Sequence, residues 1–111
     1  MVLLSILSRV IIQHLVTKMD EETKEILTIL QEECAEVIVE VSKCFRFGPH
    51  QILSGTEESN IQRLQKELGD LQAMIELLVD KNIGVTHFDI NLATKKKFQK
   101  LKQYSNIRIN K

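Results

Sequence analysis

The sequence predicts an all-α protein, a small bundle of about four helices that works as an oligomer. Three observations carry that expectation. The chain is 111 residues long, with one proline and four glycines, too few turn formers for a many-stranded sheet. Its commonest residues are Leu, Ile, Glu, Lys and Gln, and all but Ile are strong helix formers. Apolar residues recur at helical spacing in three long stretches, each bounded by cap signals. A chain this short fits one domain with a small core, which association would help to cover.

The N-terminal stretch MVLLSILSRVIIQHLVTK has no basic segment ahead of its apolar run and no small-residue cleavage site. Arg9, Gln13 and His14 interrupt it, so it is too polar to span a bilayer. Leu3, Leu4, Leu7, Val10, Ile11 and Leu15 share one face at about 100° per residue. That predicts an amphipathic helix over residues 1–18, packed on the rest of the chain. A rival reading makes Met19 the natural start, with MDEETKEIL as the beginning of the domain at 19–111.

Asp20 is a good N-cap, and Glu21 and Glu22 sit in the first turn, where the helix dipole favours them. This helix should run to about Phe47, ended by Gly48-Pro49. GPHQILSGTEES reads as a loop. The next helix starts at Thr56 or Ser59, and Ser59 with Gln62 makes a capping box. It runs to about Lys81 and is closed by Gly84. Thr86 and Asp89 form a similar pair at the head of the last helix, which runs to about Tyr104. The tail SNIRINK is expected to be extended or frayed.

The charge totals are balanced, 15 basic against 15 acidic residues, so nothing overall points to nucleic acid or membrane. Lysines cluster between Lys95 and Lys102, and acids dominate the two long helices. Cys34 and Cys44 are ten residues apart on one helix, ~15 Å along its axis and beyond disulfide reach. Both read as reduced core fillers, which favours a cytoplasmic protein.

The functional signal is a crowd of carboxylates. On the first long helix Ile26, Leu27, Leu30, Cys34, Val37, Ile38, Val41 and Phe45 fill one arc. Glu32, Glu33, Glu36, Glu40 and Lys43 fill the adjoining one, with Glu33 at its border and Glu40 peripheral. The second long helix has a stripe of Ile61, Leu64, Leu68, Leu71, Ile75 and Leu78. Glu67 and Asp70 share a face at its edge, with Arg63 and Met74 on the same line. Glu32, Glu33 and Glu36 have no lysine at i+4. Packed antiparallel, the two stripes would bring four or five carboxylates together beside a dry core. Such a cluster repels itself without a counter-charge, and an all-oxygen cage suits Mg²⁺ or Mn²⁺. Acidic helix faces are also common as solvated surface, and the residues alone leave the two readings level. No Glu-x-x-His occurs, against a di-iron bundle. His14, His50 and His87 read as surface or loop.

Glu32-Glu33-x-x-Glu36 followed by Glu67-x-x-Asp70 resembles the signature of the MazG-like all-α nucleoside triphosphate pyrophosphatases. The resemblance runs from about Ile26 to Tyr104. ELGDL at Glu67–Leu71 looks like the family's second acidic helix. SKCFRFG looks like its short single-domain members, many of them phage-encoded, and KKKFQKLKQYS resembles its basic last helix. The spacing between the acidic motifs is long, and the tryptophan near the base in some members is absent.

The resemblance implies Mg²⁺-dependent hydrolysis of a nucleoside or deoxynucleoside triphosphate to the monophosphate and pyrophosphate. It implies that Glu33, Glu36, Glu67 and Asp70 ligate the metal. Glu32 would support a second metal or, with Glu33, serve the attacking water, and a homodimer or homotetramer would act in a cytoplasm, the host's if the chain is phage-encoded. Lys97, read as inward-facing with Ile90, Leu101 and Tyr104, is the expected phosphate contact, with Lys43 and Arg46. Asn60 is a weak base or ribose contact, more often a local cap. Phe45, Phe47, Phe88, Phe98 and Tyr104 read as packing residues. The rivals are an enzyme restricted to dUTP or phosphoribosyl-ATP, and a non-catalytic acidic interaction module.

Overall fold

The computed structural model describes residues 5–9 and 19–111. It is all-helical: α1 spans Glu21–Phe47, α2 Asn60–Asp80 and α3 His87–Tyr104. Residues 5–9 are helical and exposed, and the remainder of the stretch 1–18, where an amphipathic helix is expected, lies outside the described residues. No helix among the described residues is long and apolar enough to cross a membrane.

The caps fall where the sequence places them. Asp20 accepts the Thr23 N–H at 2.7 Å, and the Gly48 N–H closes α1 onto the Cys44 carbonyl. Gly48 has φ 90°, a left-handed conformation that glycine adopts without steric cost. Ser59 and Gln62 form the reciprocal capping box of α2. α2 stops at Asp80, and Asn82 and Gly84 both have positive φ, 55° and 103°. Thr86 caps α3 by accepting from the Asp89 N–H. Here Thr86 Oγ1 donates to Asp89 Oδ2, so the pair is joined side chain to side chain.

α1 and α2 form an antiparallel hairpin. Lys81, after the end of α2, bonds Asp20 at the head of α1 at 3.1 Å. At the other end Asn60 Nδ2 donates to the Gly48 carbonyl at 2.9 Å. The residues that turn inward follow a four-three spacing: Thr23, Ile26, Leu30, Glu33, Val37 and Glu40 on α1. On α2 they are Asn60, Leu64, Glu67, Leu71, Met74 and Leu78. This is the seam of a two-helix coiled coil. Its fully buried apolar part is small, comprising Ile26, Met74 and Leu78, with Leu27, Ile29, Leu30 and Val85 against it.

One covering helix can bury only one seam, and this corrects the sequence-derived stripes. Ile38 is 69% exposed and Phe45 87%; Cys34 is exposed too, so it fills no core, while Cys44 is half-buried, and both thiols are free. Ile61 and Leu68 on α2 also face out. α3 packs on neither long helix to any comparable extent. Its half-buried residues include Ile90, Phe98 and Leu101, while Tyr104 and Phe88 stand exposed. The tail folds back along α3, with Lys102 Nζ donating to the terminal Lys111 carbonyl and Lys111 over the Phe98 ring. The radius of gyration is 20.1 Å, against about 13 Å for a compact chain of this length.

Candidate functional site

The hairpin carries three charged layers, one at its open end and two in the seam where a coiled coil would ordinarily carry leucines. Each can be built from the residues that face one another across it.

The outer layer, at the open end, is Asp20–Lys81. The Asp20 carboxyl is lowered to about 2 by the Thr23 hydroxyl and N–H and by Lys81. It closes the hairpin and caps α1 at once.

The middle layer is the carboxylate cluster. Glu33 from α1 meets Glu67 and Asp70 from α2, with one oxygen of each within 4.8 Å of the others. Glu33 and Glu67 are half-buried and Asp70 is exposed. Desolvation at the seam raises the Glu33 carboxyl above its ordinary value. The charges of Asp70 and Glu67, a hydrogen bond with Glu67 and the charge of Glu36 push the same way. The fold thus holds three acids where electrostatics disfavours them. Their donor set is all oxygen, drawn from two rigid helices and open on the Asp70 side. It suits a hard divalent cation. Glu32 and Glu36 are exposed on the same stretch of α1, and Glu36 is close enough for Glu33 to feel its charge. Of the expected metal ligands the structure gathers Glu33, Glu67 and Asp70 and leaves Glu36 outside the group.

The inner layer was not expected. Glu40, read from sequence as peripheral, is 1% exposed and is the largest fully buried side chain. Its Oε1 accepts from Lys43 Nζ at 3.1 Å and lies 3.4 Å from Arg63 Nη2. Burial alone would raise the Glu40 carboxyl, but the hydrogen bonds and charges of Lys43 and Arg63 outweigh it and lower it. Arg63 extends the network to Glu58, 3.7 Å away, which Lys66 also holds at 3.1 Å. Glu40 follows Glu33 by seven residues, one heptad. Counting at 3.5 rather than 3.6 residues per turn places both in the seam, and the Lys43 three residues on is a second hint.

The remaining expected contacts scatter. Lys43 is engaged by Glu40. Arg46 lies over the Phe47 ring at 4.8 Å. Lys97 is exposed on α3, so it is not inward-facing in the single chain. Asn60 is 2% exposed. Its amide nitrogen is taken by Gly48 and, at 3.4 Å, by Gln51, so this residue ties the loop to α2. That loop is ordered by the Ile52–Ser59 bridge and borders a cleft of about 320 Å³ lined by Lys43, Phe47, Ile52 and Asn60 among others. His50 and His87 are exposed, as read. Comparison with family models, curated proteins and solved structures returns no match.

Proposed function

We propose that this chain is a Mg²⁺-dependent nucleotide pyrophosphohydrolase that cleaves a nucleoside or deoxynucleoside triphosphate to the monophosphate and pyrophosphate. The observation that carries the reading is the meeting of Glu33, Glu67 and Asp70 across the hairpin. The two acidic motifs that resemble the MazG-like signature, far apart in sequence, are the two that face each other. A solvated acidic face gives no reason for that pairing, and the repulsion it creates favours whatever cation relieves it.

Glu33, Glu67 and Asp70 would hold Mg²⁺, with Mn²⁺ suiting the same donors, and exposed Glu36 stands beside them as a fourth carboxylate. When bound, such a cation neutralises phosphate oxygens and lowers the pKa of a coordinated water. Glu32, exposed and next to Glu33 in the chain, is assigned the proton of the attacking water. The departing pyrophosphate needs positive charge. Lys43 supplies it from the neighbouring layer, Arg46 lies further along α1, and Lys97, exposed on α3, would be contributed by another protomer. The exposed apolar residues of α1 and α2, with the extended shape, support a homodimer or homotetramer in which a second hairpin covers Ile38 and Phe45. Two free thiols accord with a reducing cytoplasm.

The test is pyrophosphate release across the common ribo- and deoxyribonucleoside triphosphates with Mg²⁺, with Glu33→Gln as control. Release by the wild type and its loss in Glu33→Gln is the expected result. No release from any of them, together with no Mg²⁺ binding, would leave the acidic interaction module as the better account.

A further inference from the structure

The inner layer of the seam contains more positive charge than its burial requires. Glu40 alone is met by two cations, Lys43 and Arg63, and Glu58 by two, Arg63 and Lys66. Lys43, Arg63 and Lys66 therefore face Glu40 and Glu58, leaving the cluster with a net positive charge. It abuts the net negative cluster of Glu33, Glu67 and Asp70. Arg63 precedes Glu67 by four residues, one turn on the same face and ~6 Å along the axis. The two clusters are neighbours of opposite sign, yet Arg63 forms its ion pairs with Glu40 and Glu58.

The guanidinium has capacity to spare. Its Nη2 lies 3.4 Å from Glu40 Oε1. Nη1 stands 3.7 Å from Glu58 Oε2, outside hydrogen-bond reach. Nε is buried with no partner, and so is Oε2 of Glu40. The two orphans are a complementary donor and acceptor on groups already paired. Closing that bond would set Arg63 side-on to Glu40 and leave the outer edge of the fork, between Nη1 and Nη2, with only the long Glu58 contact. That edge matches two oxygens of a phosphate.

We propose that Arg63 is a phosphate-binding residue of this site and Glu40 its positioning residue. The ligand that spans the seam is a polyphosphate chain, with its metal-held end on the carboxylate cluster and a further phosphate on Arg63. This rests on the reading of Glu33, Glu67 and Asp70 as a metal centre. Glu58, 39% exposed at its side chain, is the group the phosphate displaces.

The experiment titrates inorganic triphosphate with Mg²⁺, and Mg²⁺ alone, into the full chain by calorimetry. Arg63→Gln should weaken Mg²⁺–triphosphate binding by about tenfold or more, the loss of a charge-assisted hydrogen bond, and leave Mg²⁺ affinity unchanged. Arg63→Lys should recover part of it. Glu58→Gln should tighten triphosphate binding, an effect a merely structural Arg63 would not give. Glu40→Gln should weaken triphosphate and not Mg²⁺. If Arg63→Gln unfolds by leaving Glu40 unpaired, the double variant Glu40→Gln with Arg63→Gln removes both charges and takes its place. Wild-type affinity for triphosphate in the Arg63→Gln chain, or in the double variant, overturns the proposal. Wild type that binds Mg²⁺ but no triphosphate overturns it while sparing the metal centre, and wild type that binds neither overturns both.

Discussion

Replacing Glu40 by Gln tests whether the buried charge layer holds the hairpin together. The carboxylate is 1% exposed and meets Lys43 and Arg63 at 3.1 and 3.4 Å. Hydrogen bonds to charged groups contribute about 1.5–3 kcal/mol each and neutral ones about 0.5–1.5 kcal/mol. Removing the charge therefore forfeits about 1 kcal/mol per contact. Both cations keep more than a quarter of their side-chain surface in water, so screening trims the sum to about 1–2 kcal/mol. At about 4–8 °C per kcal/mol for a domain of this size, the thermal midpoint should fall by about 5–15 °C at pH 7. The sign of the pH dependence follows from the lowered Glu40 carboxyl. Its stabilisation is present above the ordinary glutamate value and is lost as pH falls through the lower folded value. Melting followed by far-ultraviolet circular dichroism should show a gap between wild type and variant at pH 7 that narrows on acidification below about pH 4. Equal midpoints at pH 7, or a gap that persists undiminished in acid, would refute the account.

Mg²⁺ should raise the wild-type midpoint by linkage, corresponding to about 2.7 kcal/mol at a concentration a hundred times the dissociation constant; calorimetric melts of Glu33→Gln should lack the shift. Without metal, the raised Glu33 carboxyl makes stability fall as pH rises through its folded value, and Glu33→Gln should flatten that limb of an equilibrium unfolding profile. Asp20→Ala should lower the midpoint at pH 7 by removing both the cap and the Lys81 contact, and the difference should vanish as pH falls through about 2, where Asp20 titrates. Asn60→Ala leaves the Gly48 carbonyl without its donor. It should cost about 1–3 kcal/mol in urea unfolding and speed amide exchange in the loop before α2.

The sequence determined what is local. Each cap belongs to a short stretch of chain: Asp20 with Thr23, Gly48 with Cys44, Ser59 with Gln62. Hydrogen bonds of such short range fix helix ends before any packing occurs, so the three described helices begin where they were expected. α1 ends where expected too, and α2 stops one residue short of Lys81. The pairing of Glu33 with Glu67 and Asp70 was also legible, because the acids of both helices border apolar stripes and an antiparallel packing of those stripes brings them together.

The tertiary structure decided which stripe is inside. A helix wheel gives α1 an apolar arc wide enough for more than one partner, and α2 covers only the four-three seam. That choice sends Cys34, Ile38 and Phe45 outward and draws Glu33 and Glu40 in. Burial then decided chemistry. The same glutamate type is raised at Glu33 by seam desolvation and its acidic neighbours, and lowered at Glu40 by two cations, one from its own helix and one from twenty-three residues away. Spacing shows Lys43 one turn from Glu40, but it shows neither Arg63 nor the burial, because a carboxylate's proton affinity is set by what surrounds it in space.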